Sequence, residues 1–371
     1  MNFFNPFYSL PRRLAVIVGT RPNFVKAAPF LREAKNHPRF DYTVIHTGQH
    51  FDQNMSEVFF AELGIPRPDV FLNPGGEKHT EKIALMFDQM KDVFKQHKFA
   101  GAIVFGDVNS TLAGALAAIK HNVRLAHIEA GLRSHDRRMP EEINRVIVDH
   151  LAHLHFVTEQ SGVENLRREG VKERKIHLVG NIMIESLELY RNKIEASPIL
   201  AQLQLKPKGY ILVTIHRQEN TDSKQALAEI LQLVAGLKNQ YQVVFPLHPG
   251  TKKRIEEYGL ASFLTGLTVI EPVGYFDFVK LTKDSLGVVT DSGGIQEETS
   301  HLGIPCATLR DNTERPVTLE LGSNKLFPIA EATSSEILQH LKRLDFKPGL
   351  IPFWDSGVSK RIFQVLDNWE I

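Results

Sequence analysis

Two acids stand directly beyond short apolar runs, each among small neighbours. Asp107 lies in Gly106-Asp107-Val108-Asn109-Ser110-Thr111, and Glu129 in His127-Ile128-Glu129-Ala130-Gly131-Leu132-Arg133. At adjacent strand ends the two carboxylates can face each other. In a partly dry cleft such a pair pushes one pKa up and supplies an acid and a base near neutral pH. Asp107 also suits a helix cap, because Asp, Asn and Ser all cap and one of them must start the helix predicted over 112–119. In Pro140-Glu141-Glu142-Ile143-Asn144-Arg145, Glu141 and Arg145 are four apart on one helical face, the spacing of a weak surface ion pair. Cations gather in Gly19-Thr20-Arg21-Pro22-Asn23-Phe24-Val25-Lys26. Glycine permits a tight turn and proline starts a helix, so Arg21 and Lys26 sit at a positive helix end suited to phosphate or carboxylate.

The second half of the chain carries its own candidates. His216, in Thr214-Ile215-His216-Arg217-Gln218-Glu219-Asn220, can donate to a phosphate or act as an acid. His248, between two prolines, reads as a rigid structural turn. Thr290-Asp291-Ser292-Gly293-Gly294-Ile295-Gln296-Glu297-Glu298 reads as a strand end, small residues that expose backbone N–H groups, and a helix start. That is an anion nest formed by Ser292, Gly293 and Gly294. Glu298, one turn in, can take ribose hydroxyls. Arg315, in the run from Arg310 to Pro316, can close the phosphate site. His150, His153 and His155 lack a carboxylate or Cys at ligand spacing and read as structural or surface residues. Cys306 reads as inert core.

These residues need elements to hold them. Apolar runs over 14–18, 42–46, 102–105, 123–128, 155–157 and 176–179, then 210–215, 241–247, 267–272, 286–290 and 306–309, predict strands buried on both faces. Amphipathic helical stretches alternate with them, which predicts doubly wound parallel sheets of the α/β class. The expected division is an extension over 1–12, a Rossmann-like domain over 13–185 and a second over 186–371. A C-terminal helix over 359–369 is placed to pack back on the first domain. Ligands of such sheets bind beyond the carboxyl ends of strands, in the cleft that the two domains share.

The 371 residues, with 42% hydrophobic and 23% charged, are globular in composition, which excludes disordered and collagen-like classes. A net charge of +1 gives no electrostatic case for nucleic acid or an acidic membrane. The single cysteine excludes an internal disulfide and a thiolate metal cluster. No apolar run approaches bilayer length, and the expected location is cytoplasmic. GxGxxG and GxxxxGK[ST] are both missing, which argues against NAD-linked and P-loop chemistry.

As a set, GTRPNFVK, GD followed by Ser-Thr, HIEAGLRS, PEEINR, THRQEN, TDSGGIQEE and DNTERP resemble the non-hydrolysing UDP-N-acetylglucosamine 2-epimerases, from Gly19 to about Phe327. The resemblance implies two Rossmann-like domains facing across a cleft, the GT-B architecture. It implies interconversion of UDP-GlcNAc and UDP-ManNAc without NAD or metal. The route is anti elimination of UDP to 2-acetamidoglucal, then re-addition on the other face. By motif position it assigns Lys26, Asp107, Glu129, Glu141, Arg145 and His216 to catalysis. Arg21, Phe278, Ser292, Gly293, Gly294, Glu298 and Arg315 fall to the UDP site. Asp107, Glu129 and Glu141 stay open as the base. The implied partners are a UDP-sugar substrate and a second copy of the chain. The Pro-x-x-x-Lys after Gly19-Thr20-Arg21 favours epimerisation over hydrolysis.

Two alternatives remain: the same chemistry on a modified sugar such as a 2,3-diacetamido uronic acid, and a GT-B glycosyltransferase. The run Gln49-His50-Phe51-Asp52-Gln53 departs from the cation and amide of many bacterial members at the activator site, and Lys78 stands near a position often held by arginine there. The pattern leaves open whether substrate acts as an allosteric activator.

Overall fold

The computed structural model describes residues 11–49, 60, 62–75 and 79–370. His50 to Gln53, Lys78 and residues 1–10 of the extension lie outside them. The chain divides into two units, one of residues up to Ser186 with the tail from Ser356, the other Leu187–Asp355. The division falls inside one helix, Ile182–Leu189, and a short helix, Arg191–Glu195, follows beyond Tyr190.

Among the described residues, the first unit holds one wholly parallel sheet. Its strands are β1 (Arg12–Val18), β2 (Phe40–His46), β3 (Val70–Phe71), β4 (Gly101–Phe105), β5 (Arg124–Ala130), β6 (Leu154–Val157) and β7 (Ile176–Leu178). Their spatial order is β3-β2-β1-β4-β5-β6-β7. The second unit repeats the plan with β8 (Tyr210–Thr214), β9 (Gln242–Pro246), β10 (Thr268–Ile270), β11 (Gly287–Thr290), β12 (Cys306–Thr308) and β13 (Asn324–Leu326). The order there is β10-β9-β8-β11-β12-β13. In each sheet the order reverses between the first strand and its neighbour, β1/β4 and β8/β11. Chains leave those two strands toward opposite sides, so a crevice opens beyond their carboxyl ends.

The strands are apolar because both faces are covered. Leu14 to Val18, Ala102 to Phe105 and Tyr210 to Val213 are all buried, as helix-flanked parallel strands require. In the first unit, the Ala-rich helix Asn109–Lys120 lays Ala113, Ala115, Ala117 and Ala118 in the core with Ile17, Val104 and Val148. In the second, Leu227, Ile230, Leu231 and Val234 of helix Lys224–Leu237 cover β8 and β9. The tail helix Val358–Leu366 belongs to the first unit. Phe363 stacks on Phe30 at 4.9 Å and on His37 at 4.3 Å between ring centres. Buried Glu185 accepts from the Ser359 amide at 2.6 Å and hydroxyl at 2.7 Å.

Candidate active site

In the first unit the chemical residues cluster at the carboxyl ends of β1, β4 and β5. β1 ends in Gly19-Thr20, and Pro22 starts the helix Arg21–Ala34. Buried Asn23 locks the turn, accepting from the Gly19 amide at 3.2 Å and donating to the Phe105 carbonyl at 3.1 Å. One turn on, Lys26 is buried and forms an ion pair with Glu129. Its ammonium thus engages a carboxylate of the same unit, where the sequence suggested an anion ligand. Arg21 is half-buried, and burial lowers its pKa against the opposing charge of Glu62.

β4 ends in Gly106, whose φ of 63° is left-handed, and a Cβ there would lie 3.2 Å from the Lys26 ammonium. The next residue, Asp107, is not the helix cap: Val108 occupies that position without a side-chain cap. Asp107 instead pairs with Arg145, and Asn144 donates to its carbonyl at 2.9 Å. The surface pair of Glu141 with Arg145 also gives way. Glu141 is exposed on the first turn of helix Pro140–Leu151, while Arg145 grips buried Glu142 at 2.5 Å. Spacing of three as well as four brings helical side chains together, and Glu142 faces inward. Burial opposes the charge of Glu142, but the Ser134 amide, Arg145 and the His135 amide outweigh it and lower its pKa. The first unit therefore brings together Lys26, Asp107, Glu129 and Arg145, and leaves Glu141 at its surface.

In the second unit the equivalent strand ends carry His216 after β8 and Asp291 after β11. Buried Asp291 accepts from the amides of His216 and Arg217 at 3.1 and 3.0 Å and from the Asn220 side chain at 3.1 Å. His216 Nδ1 lies 3.3 Å from the same carboxylate. Its ring centre is 6.2 Å from that of His248, which caps helix Pro249–Glu257 by accepting from the Gly250 amide. That is the structural part expected of His248.

Ser292 precedes helix Gly293–Leu302, and no side chain caps it. An uncapped first turn offers backbone donors and the positive end of the helix dipole to an anion. At Gly293 a Cβ would lie 2.5 Å from an Arg315 guanidinium nitrogen, so a larger residue there would push that side chain aside. At Gly294 a Cβ would meet nothing within 4 Å. Arg315 is held by Glu297 at 2.5 Å and Glu314 at 2.9 Å. Glu314 also draws in Arg310 at 2.9 Å and Arg217 at 3.2 Å. Three guanidiniums thus converge beside the helix start.

Glu298 is buried one turn in, and burial, with the charge of Glu297 adding, raises its pKa to about 8 against the Tyr275 hydroxyl. Phe278 is half-buried on helix Tyr275–Asp284, against the cluster of Leu212, Val288 and Ile295.

Several charged residues that anchor these clusters escaped the sequence reading: Glu142, Asp149, Asp291, Arg217, Arg310 and Glu314. All but Asp149 lie inside or beside the quoted motifs. Their burial, set by tertiary packing, is what separates them from neighbours of the same type. Among the described residues no group of three or more His, Cys, Asp or Glu is placed to hold a metal, and no helix is long and apolar enough to cross a membrane.

The family model for UDP-N-acetylglucosamine 2-epimerase matches residues 32–367. This chain belongs to that family. It is 40% identical over 323 residues to the UDP-N-acetylglucosamine 2-epimerase of Methanococcus maripaludis, covering 85% of this chain and 87% of that one. It is 42% identical over 317 residues to the UDP-2,3-diacetamido-2,3-dideoxy-D-glucuronate 2-epimerase of Pseudomonas aeruginosa, covering 85% and 88%. The crystal structure of the Methanocaldococcus jannaschii UDP-GlcNAc 2-epimerase in complex with UDP-GlcNAc and UDP matches with a TM-score of 0.90 at 37% identity, covering 96% of this chain and 100% of that one. The two parallel-sheet units are the GT-B architecture of this epimerase family.

Proposed function

We propose that this chain interconverts UDP-GlcNAc and UDP-ManNAc by eliminating and re-adding UDP. The observation that carries the reading is membership of the 2-epimerase family over residues 32–367. The two half-sites suit the chemistry. In the forward step a carboxylate takes the proton at carbon 2 and the bond from carbon 1 to the UDP oxygen breaks. UDP leaves with the electron pair, and 2-acetamidoglucal remains. UDP then returns to carbon 1 and a proton to the other face of carbon 2. Asp107 and Glu129 are the two strand-end carboxylates of the first unit's cluster, held by Arg145 and Lys26. The Asp107 side chain is 20% exposed against 3% for Glu129, so Asp107 is better placed to reach a substrate. In the second unit, the uncapped helix at Gly293, with Arg315 beside it, suits the diphosphate whose charge grows as the bond breaks. Glu298 suits the ribose and Phe278 the uracil. His216, half-exposed beside Asp291, suits proton donation to the leaving diphosphate.

The Pseudomonas aeruginosa relative supports a second reading, in which a diacetamido uronic sugar replaces GlcNAc. A proton NMR time course in deuterium oxide, with no acceptor added, separates the readings. UDP-GlcNAc alone is expected to give UDP-ManNAc with deuterium at carbon 2. Conversion of the uronic substrate, with UDP-GlcNAc inert, would move the assignment to the modified sugar. Turnover of neither without an acceptor would favour a transferase.

A further inference from the structure

Strand β5 does not run straight into its loop. Its register against β6 slips between Ile128 and Ala130, and Glu129, at the slip, has a left-handed φ of 72°. Residues on both sides of the slip converge on one buried carboxylate, Asp149, near the end of helix Pro140–Leu151. His127 Nδ1 lies 2.7 Å from Asp149 Oδ1. The Gly131 amide donates to Oδ2 at 3.0 Å and Arg133 donates to it at 2.7 Å. The His127 ring reaches across to β4, with Nε2 2.7 Å from the Gly106 carbonyl oxygen. The Gly106 amide in turn donates to the Ile128 carbonyl at 2.9 Å. Both ring nitrogens of His127 thus lie within hydrogen-bond distance of an oxygen, one on the Asp149 carboxylate and one on the Gly106 carbonyl. Burial opposes the charge on Asp149, but His127, Arg133 and His155 hold its carboxyl well below the ordinary range.

We propose that Asp149 and His127 are positioning residues for the epimerase reaction: they pin both sides of the kink at Glu129 and the turn at Gly106, and so set Glu129 and Asp107 relative to each other. The helix that carries Asp149 also carries Arg145, the partner of Asp107. One helix thereby holds the Asp107 carboxylate through Arg145 and both flanks of the kink at Glu129 through Asp149. The proposal rests on the reading that Asp107 and Glu129 take part in the proton transfer.

Asp149→Asn keeps the shape and removes the charge, and it is compared with Glu129→Gln in steady-state assays and UDP calorimetry. Asp149→Asn is expected to lose about 100-fold in kcat, the scale of a small misplacement of reacting groups. KM and UDP affinity should stay within about three-fold of the wild type. If Glu129→Gln keeps full activity, the underlying reading falls and the proposal with it. If Glu129→Gln is inactive while Asp149→Asn keeps kcat within about three-fold, the reading stands and the proposal alone is overturned. Should Asp149→Asn fail to fold, His127→Gln decides, since it keeps one donor for Gly106 and drops the pairing. Lowered kcat with unchanged UDP affinity supports the proposal, and unchanged kcat overturns it.

Discussion

The pairing of Lys26 with Glu129 places two charges where water is almost absent, with side-chain exposures of 8% and 3%. Removing such groups from water costs several kcal/mol each, and their attraction recovers that only with good geometry. Glu129 adds a left-handed backbone, unfavourable for an L-residue by about 1–2 kcal/mol. Local costs of this kind persist where the surroundings over-determine them, and they concentrate at functional sites. Breaking the pair from one side should therefore be worse than removing both charges. Lys26→Met leaves a buried carboxylate without its cation and is expected to lose about 3–5 kcal/mol of stability. The double variant Lys26→Met/Glu129→Gln should be more stable than Lys26→Met alone by at least about 1 kcal/mol, the size of a strong coupling between contacting residues. Urea unfolding of the single and double variants measures this. Additive losses would show that the two side chains act independently.

At the scale of elements, most of the candidate residues sit just beyond a strand end or in the first two turns of a helix, while Asp149 lies near a helix end. Where local chemistry alone sets the turn, the sequence was readable. Gly106 and Gly293 both stand at turns that the motifs marked, and the Ser292-Gly293 helix start lies where expected. Two short strands, Val70–Phe71 and Asn324–Leu326, escaped because two or three residues with polar neighbours show no period. They exist because a sheet edge pairs with them. Glu142 was passed over for Glu141 because helix rotation, set by packing, decides which of two adjacent acids turns inward.

The tail helix offers a pH test of one such packing effect. Burial raises the pKa of Glu185 to about 7, with the Glu33 charge adding, against the two Ser359 bonds and Arg361. The folded chain then holds this proton more tightly than the unfolded one, whose group titrates near the ordinary 4.5. Its contribution is fully present below pH 4.5 and is lost as pH rises through about 7. Glu185→Gln cannot ionise. It should match the wild type at pH 4 and exceed it at pH 8, by a margin on the order of 3 kcal/mol. Thermal unfolding of both proteins across that range checks the sign, and a wild type that gains on the variant toward pH 8 would refute it.

At the scale of the molecule, two parallel sheets with the same leading strand order were legible because buried parallel strands are short, apolar and spaced by helices. The tail's apolar face announces a helix, expected to pack back on the first domain. The structure places that helix in the first unit, which is therefore discontinuous in sequence, whereas Leu187–Asp355 is one unbroken stretch. The asymmetry has an energetic consequence. Ile362, Phe363 and Leu366 are fully buried, and each such side chain contributes about 1.5–3 kcal/mol. Together they rival the whole stability of an ordinary domain, about 5–15 kcal/mol. Deleting residues 356–371 should therefore unfold the first unit and leave the second intact. Limited proteolysis of the shortened chain is expected to yield a resistant fragment close to 187–355. That chain should still bind UDP by calorimetry while epimerisation is lost, because Gly293, Glu298 and Arg315 all lie in the continuous unit. A shortened chain that still epimerises would show that the tail is not essential to the first unit. One that loses UDP binding together with the first unit would show that the second does not stand alone.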